Sequence, residues 1–324
     1  MRKKGDYYNF TGYNSYRNYN NYRHYKNNVN RIKLIATLFI IIITIILIII
    51  SANIEANIKS SDESASEAIK QSQIEEEKAK EEEEKAKAEE ERLRKEKEER
   101  EAKLPKLTEV GIENMDNIYH SETKRAFLTF DDGPSIITPQ ILDTLKAEDV
   151  KATFFMLGCN VVNFPETTKR VWDEGHYIAN HGYTHVYSSI YSSPQAVLDE
   201  YNRCNDAVKN ALGEPEYNSH LFRFPGGMPG GKYASVKKEA KQLLSDNGVL
   251  AVDWNALTGD AESQNPVEEN LMQKLQETTE EKNSVVILMH DAQAKKVTAD
   301  MLPRTIAYLR EQGYEFKTFY DIIK

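Results

Sequence analysis

The chain contains little cysteine, with 2 Cys among 324 residues, Cys159 and Cys204. It can form one internal bridge at most, so a network of disulfides cannot be the main support of its fold. Cys159 follows a predicted strand, whereas Cys204 falls in the middle of a predicted helix. We therefore do not expect the two to pair.

Excess positive charge is also lacking, because the formal net charge is −9. Basic residues collect in residues 1–33, which hold eight Lys or Arg and one Asp. From Leu104 onward the net charge is about −10, which argues against nucleic acid as a partner. Residues 1–33 are rich in Tyr and Asn without apolar periodicity, so we predict a disordered tail.

No signal-peptide cleavage motif follows the long apolar run Leu34–Ile50. The run is about long enough to span a bilayer core as a helix. We therefore predict an uncleaved transmembrane signal anchor at residues 34–51. Its basic flank is on the N-terminal side, which predicts a cytoplasmic N-terminus and places everything after Ser51 outside the cell.

Residues 52–103 lack the sustained apolar a and d positions of a coiled coil. From Ser60 the composition is dominated by Glu, Lys, Arg and Ala, with opposite charges three and four residues apart, which favours an exposed helix. We interpret this segment as a single helical stalk, with a dimeric coiled coil as the alternative, so the oligomeric state stays open. Pro105 ends the helix, and residues 104–324 have the size of one domain.

Strands and helices alternate in residues 104–324. The predicted helices run from Thr138, as N-cap, to about Glu148, from Ser193 to Gly213, onward from Pro266, and from Met301 to Gln312. The predicted strands are Arg125–Phe130, Ala152–Leu157, Tyr177–Ala179, Leu221–Phe224, Leu250–Val252, Ser284–Met289 and Phe316–Phe319. This alternation predicts parallel strands with helices outside, in a fold that binds ligands at the carboxyl ends of its strands.

The most informative segment is Thr129–Pro134, in which Asp131 and Asp132 follow the first predicted strand. Successive side chains of a strand point in opposite directions. Two adjacent carboxylates are therefore poorly placed for one shared task. They are suited to two tasks, such as binding a metal ion and acting as a base.

Other strand ends carry ionisable residues too. The later strands contain or are followed by His181 and His185, Arg223, Asp253, and His290. An isolated H-x-x-x-H pair is weak evidence for a metal site, and Gly182 between the two imidazoles favours a loop over a helix. The coincidence of all these residues at one end of a parallel sheet is what predicts a site.

Five motifs resemble, in order and spacing, those of the polysaccharide deacetylase family, also called the NodB-homology or carbohydrate esterase 4 family. They are Thr129–Pro134, His181-x-x-x-His185, Arg223-Phe224-Pro225-Gly226-Gly227, Asp253-Trp254 and Leu288-Met289-His290. The resemblance covers about Lys124 to Ile323. It implies a distorted (β/α) barrel of about seven parallel strands. The order of anchor, stalk and domain is similar to that of membrane-anchored peptidoglycan N-acetylglucosamine deacetylases.

The resemblance implies that Asp132, His181 and His185 hold one divalent metal ion. Three N/O ligands with an open position suit catalytic zinc, with cobalt, nickel or manganese as alternatives. Such an ion polarises an amide carbonyl and activates a bound water. Asp131 is then implied as the general base, with Arg223 beside it.

The remaining motif residues are implied to complete the reaction. His290 would protonate the leaving amine, and Asp253 would orient His290 and raise its pKa. Trp254 and Leu288 would form the walls of the acetyl pocket. The main-chain N–H of Gly226 would stabilise the oxyanion.

Two residues depart from the family pattern. Gly182 stands where many members have a Ser or Thr that braces the metal loop, which predicts a less rigid loop. Gly226 stands where many members have Tyr, which removes a side-chain contact to the sugar. Neither change removes a ligand or a titratable group, so we expect activity.

The predicted reaction is metal-dependent removal of acetate from N-acetylglucosamine in cell-wall peptidoglycan, on the outer side of the membrane. Alternative substrates are N-acetylmuramic acid, chitin oligomers, other exopolysaccharides and O-acetylated xylan. A catalytically degenerate glycan-binding protein is the alternative from another class. Two His and a carboxylate also occur in non-haem iron oxygenases, but the additional Asp, Arg and His favour hydrolysis.

Overall fold

The computed structural model describes residues 34–51, 62–228, 230–263 and 266–324. The chain divides into two compact units, residues 1–99 and 100–324. The predicted tail, residues 1–33, and the first ten residues of the predicted stalk, 52–61, lie outside the described residues.

The described part of residues 34–103 contains two helices. Helix α1 (Leu34–Ser51) has 18 residues and is, by length and composition, apolar enough to cross a membrane. Helix α2 (Asp62–Lys103) has 42 residues and carries exposed ion pairs four residues apart, such as Glu76–Lys80 and Glu81–Lys85, each at 2.6 Å. The helix predicted for the charged segment is therefore present.

Eight short parallel strands form one curled sheet. They are β1 (Arg125–Asp131), β2 (Thr153–Met156), β3 (Tyr177–Asn180), β4 (Leu221–Phe222), β5 (Leu250–Ala251), β6 (Ala256–Leu257), β7 (Ser284–His290) and β8 (Glu315–Phe316). Seven of them follow the order β5-β4-β3-β2-β1-β7-β6, and β8 pairs with β1. The result is a half-barrel of seven parallel strands, which confirms the predicted fold class.

Strand β1 lies at the centre of the sheet. It pairs along its whole length with β7, in a register that sets Asp131 opposite His290. On its other side it pairs with β8 at its start and with β2 at its end. Because all these strands are parallel, the residues that follow β1, β2, β3 and β7 emerge at one edge.

All seven predicted strands are present, with shifted bounds. The last was predicted at Phe316–Phe319 and is observed at Glu315–Phe316. The eighth, β6, was not predicted, because Ala256 and Leu257 are only two residues and give no alternation to detect. Strand β6 also decides which carboxylate lies beside His290.

Ten helices surround or connect these strands in the described part of residues 104–324. They are α3 (Glu109–Asp116), α4 (Thr138–Ala147), α5 (Gly158–Asn163), α6 (Pro165–Asp173), α7 (Tyr187–Ile190), α8 (Pro194–Leu212), α9 (Ala234–Asp246), α10 (Glu268–Thr279), α11 (Lys296–Glu311) and α12 (Tyr320–Ile323).

Helix α8 has the predicted ends. The Ser193 hydroxyl accepts a hydrogen bond from Ala196 N at 3.1 Å, and Gly213 ends the helix with φ 71°. Thr138, in contrast, is not the N-cap of α4, which is Ile137. The Thr138 hydroxyl instead donates to buried Asp291 at 2.6 Å.

Two other predicted helix starts were also displaced. Helix α10 begins at Glu268, two residues after Pro266. Helix α11 begins at Lys296, five residues before the predicted Met301, and contains Pro303. Its additional first turn buries Thr298 and Ala299. Burial against the domain thus extends the helix beyond its predicted N-terminus, so Pro303 lies in its interior and not in its first turn.

The two faces of the sheet bury separate apolar clusters. Along β1, Leu128 and Phe130 belong to the cluster beneath the outer helices, whereas Phe127 belongs to the inner cluster with Phe155 and Phe319. Alternation therefore puts Asp131 on the same face as Phe127, inside the curl of the sheet.

Cys159 and Cys204 are both free thiols.

Candidate active site

Buried Arg223 holds Asp131 in one orientation. The guanidinium is fully buried, and its Nη1 donates to Asp131 Oδ1 at 2.8 Å and to Thr129 Oγ1 at 2.7 Å. Its Nη2 donates to the Asp253 carbonyl at 3.0 Å, and its Cζ lies 3.9 Å from the Phe155 ring centre. Burial raises the pKa of Asp131, and the Arg223 charge opposes that rise. The arrangement is that of an oriented carboxylate with increased basicity.

Asp132, His181 and His185 converge at the same edge of the sheet. Asp132 Oδ1 lies 3.6 Å from His181 Nε2 and 3.4 Å from His185 Nε2. This buried oxygen has no hydrogen-bond partner among the described residues. Ligand atoms bonded tetrahedrally to zinc are about 3.4 Å apart, so the three groups fit one shared divalent ion.

The His181 ring is prepared to be a metal ligand. Its Nδ1 lies 2.7 Å from the carbonyl oxygen of Arg223, which can only accept, so Nδ1 carries the proton. The lone pair of Nε2 is therefore directed toward Asp132. Burial lowers the pKa of His181 to about 3, so the imidazole is neutral near pH 7.

The loop between the two imidazoles is braced by Glu200, a buried residue of α8. Its Oε2 accepts from the main-chain N–H groups of Tyr183 and Thr184, each at 2.7 Å, and its Oε1 accepts from the Thr184 hydroxyl at 3.0 Å. Gly182 has φ 86°, and a Cβ there would lie 3.0 Å from Ile190 Cδ1. Glycine therefore suits this turn, and Glu200 supplies a brace that the sequence motifs did not reveal.

His290 is oriented by Asp260, and the prediction that Asp253 does so is wrong. Asp260 Oδ1 lies 2.8 Å from His290 Nδ1, and Oδ2 accepts from His290 N at 2.8 Å. Asp260 is itself buried and held by the Thr298 hydroxyl at 2.8 Å. The Asp253 carboxylate instead accepts from Met228 N at 3.1 and 3.2 Å.

The unpredicted strand β6 explains this error. Leu257 of β6 pairs with Leu288 of β7, so the chain after β6 runs alongside the end of β7. Asp260, three residues beyond Leu257, therefore arrives level with His290. Asp253 precedes β6 and lies beside the Arg223 turn.

Asp260 keeps His290 charged. Burial disfavours the imidazolium, but the hydrogen bond and charge of Asp260, with the charges of Asp131 and Asp132, outweigh burial and raise the pKa of His290 to about 9. At neutral pH the ring therefore carries a proton that it can donate. The Asp131 carboxylate and the His290 imidazolium therefore end neighbouring strands.

The residues predicted to line the acetyl pocket lie at the end of β7 and at the turn after β4. Leu288 and His290 are the two partly exposed residues at the end of β7, on one face of that strand. Trp254 covers the turn after β4, where a Cβ on Gly227 would lie 3.0 Å from the Trp254 ring. Gly226 has φ 74°, which requires glycine or a strained residue.

The fold is a half-barrel whose strand ends carry carboxylates and imidazoles, three of which could hold one metal ion. These features define a class of hydrolases that can use a divalent metal ion. Residues 119–249 match the sequence profile of the family described as Polysaccharide deacetylase. A peptidoglycan-N-acetylglucosamine deacetylase of Bacillus cereus is 35% identical over 204 residues, covering 62% of this chain and 71% of that protein. The chain belongs to the polysaccharide deacetylase family.

Solved structures agree with this assignment. A CE4 esterase of Streptococcus mutans has a TM-score of 0.58 and 32% identity, covering 64% of this chain and 90% of that one. A CE4 family pseudoenzyme from Bacillus anthracis has a TM-score of 0.53 and 25% identity, covering 63% and 67%. The same fold occurs in a pseudoenzyme, so catalytic activity depends on the side chains of the site and not on the fold alone.

Proposed function

We propose that this protein is a metal-dependent N-deacetylase that removes acetate from N-acetylglucosamine residues of cell-wall peptidoglycan. One observation carries the proposal: a buried carboxylate, an imidazolium and a three-ligand group lie together at one edge of the sheet. Amide hydrolysis needs these three components, namely a base for water, an acid for the leaving amine and an electrophile for the carbonyl.

Asp132, His181 and His185 would hold the ion, which when bound would supply Lewis-acid polarisation of the acetyl carbonyl and of the attacking water. Zinc fits the donor set, and cobalt, nickel or manganese are the alternatives. Asp131 removes the proton from the attacking water, oriented for this by Arg223.

The remaining residues act on the substrate. The Gly226 N–H stabilises the negative charge that develops on the acetyl oxygen. His290 donates its proton to the amine nitrogen as the C–N bond breaks, so acetate and a free amino sugar are released. Asp260 keeps His290 charged until that step, while Trp254 and Leu288 enclose the acetyl methyl group.

The proposed substrate follows from the relatives and from the order of segments. The Bacillus cereus relative is named for activity on peptidoglycan N-acetylglucosamine. Helix α1 would anchor the protein as a single-pass signal anchor with its N-terminus in the cytoplasm. Helix α2, with 42 residues, would be about 60 Å long and act as a spacer. The catalytic domain, residues 104–324, would then act on wall glycan outside the cell.

The test is acetate release by the full-length purified protein from de-esterified peptidoglycan strands. We expect release that stops after chelation and returns when zinc is added. Parallel assays with chitin oligomers, N-acetylmuramic acid and O-acetylated xylan identify the preferred acetyl donor. Absence of metal-dependent release from every N-acetylated glycan would refute the proposal.

A second candidate function is glycan binding without catalysis, which the likeness to a pseudoenzyme favours. It predicts retention of the protein on insoluble wall glycan without acetate release at any metal concentration. Mass spectrometry of muropeptides from cells with and without the protein separates the two functions. A deacetylase leaves muropeptides lighter by one acetyl group, whereas a binding protein leaves their masses unchanged.

A further inference from the structure

Tyr187 lies at the mouth of the site, two residues after His185. Its ring centre is 5.4 Å from that of His185 and 5.7 Å from that of Tyr191. Tyr187 is 40% exposed, whereas the His181 side chain is 4% exposed. Its hydroxyl has no hydrogen-bond partner among the residues that the structure describes. The Tyr187 hydroxyl is therefore a hydrogen-bond donor without an acceptor among these residues, and it lies beside the imidazole of His185.

The Tyr187 hydroxyl occupies the space above Gly226. A Cβ at residue 226 would lie 2.6 Å from Tyr187 Oη and 3.2 Å from Cζ. Any side chain at 226 would therefore displace this hydroxyl, in addition to being strained by the φ of 74°. Because Gly226 has no side chain, the space beside it is filled by the side chain of Tyr187, which belongs to a different loop.

Two hydrogen bonds hold the Arg223–Gly227 turn, which lies beneath Tyr187. The Tyr191 hydroxyl donates to the Pro225 carbonyl at 2.7 Å, and Lys237 Nζ donates to the Gly227 carbonyl. Both donors are buried. The Tyr187 hydroxyl therefore lies over a fixed surface, and a donor placed in this way loses little freedom when it binds a ligand.

We propose that Tyr187 is a substrate-positioning residue whose hydroxyl donates a hydrogen bond to the sugar that carries the acetamido group. The proposal rests on the proposed deacetylase function. An acetyl group that reaches buried Asp131 and His181 must leave its sugar at the outer, exposed level of the site. Tyr187 and His185, whose side chain is 34% exposed, lie at that level.

The first test compares steady-state kinetics of the full-length protein and Tyr187→Phe on a soluble tetramer of N-acetylglucosamine. We expect kcat/KM to fall about three- to tenfold, the loss being a higher KM with kcat within twofold. Tyr233→Phe is the matched control, because its ring lies 5.2 Å from Tyr191 at the far end of the same aromatic cluster. It should leave KM unchanged, and all variants should keep equal metal content.

An unchanged KM in Tyr187→Phe overturns the proposal. A loss confined to kcat, together with reduced metal content, also overturns it, because Tyr187 would then act only by supporting His185. If the wild-type protein releases no acetate from any glycan, the proposed function fails instead. The two failures are thus distinguishable.

A second test uses the contact between Tyr187 and Gly226. Gly226→Ala should raise KM more in the wild-type background than in Tyr187→Phe, because the hydroxyl that the new methyl displaces is already absent there. Backbone strain at residue 226 is common to both backgrounds and cancels in the comparison. Equal increases in KM in the two backgrounds would show that the hydroxyl does not contact the sugar.

Discussion

Replacing Asp260 with asparagine should remove the alkaline part of the activity range. Asp260 accepts from both the ring and the main chain of His290, and Asn keeps the size of the side chain but loses its charge. The substitution therefore tests whether a carboxylate that the sequence motifs did not identify controls the protonation of the proposed acid.

The magnitude follows from the pKa of His290, which is about 9 against an ordinary value of 6.5. Burial lowers this pKa, and the hydrogen bond and charge of Asp260 are the largest causes that raise it, so without the Asp260 charge the pKa should fall toward its ordinary value. At pH 8 a group with a pKa of about 9 is about nine-tenths protonated, whereas at 6.5 it is roughly 3% protonated. We therefore expect kcat/KM at pH 8 to fall by up to about thirtyfold, with the alkaline limb lowered by up to about two pH units.

The assay is acetate release from a soluble N-acetylglucosamine oligomer between about pH 5 and 10, with kcat/KM fitted at each pH. The matched control is Asp253→Asn, which removes the carboxylate that the sequence had indicated for this role. Whatever its absolute rate, its alkaline limb should stay near that of the wild type. An Asp260→Asn limb that stays in place, or an Asp253→Asn limb that moves, would refute the reasoning.

Two further substitutions test other parts of the site. Asp131→Asn should lower kcat more than about a hundredfold while elemental analysis shows retained metal, and near-normal turnover would show that another group is the base. Glu200→Gln should weaken zinc affinity about 10- to 100-fold in competition with a chromophoric chelator, because one oxygen that braces two N–H groups is altered. Asp206→Asn, exposed on the same helix, should leave the affinity unchanged, and equal affinities for all three proteins would contradict the brace.

Much of the fold was predictable because its signals are local. Short apolar runs marked seven strands, and Ser193 and Gly213 marked both ends of α8. The errors arose where tertiary contacts outweigh local preference. Buried residues extended α11 five residues before its predicted start, and the partner of Thr138 was a distant carboxylate rather than its own helix.

The site divides in the same way. The motifs located Asp131, Asp132, His181 and His290, because each ends a strand or immediately follows one, and His185 through its spacing of four residues from His181. Asp260 and Glu200 were missed for a physical reason. One follows a two-residue strand that has no periodicity, and the other is a single carboxylate in the middle of an amphipathic helix, where nothing in the local sequence separates it from a solvated neighbour.

The sequence by itself determined the parallel strand–helix alternation, the apolar and charged segments before it, and most groups at the strand ends, because these depend on residue type and short-range spacing. Only the tertiary structure decided which carboxylate orients His290, what braces the metal loop and which side chain fills the space above Gly226. Those contacts join residues 16 to 39 positions apart, such as Glu200 with Thr184 and Tyr187 with Gly226. Strand register and helix packing set their distances, and local sequence does not encode either.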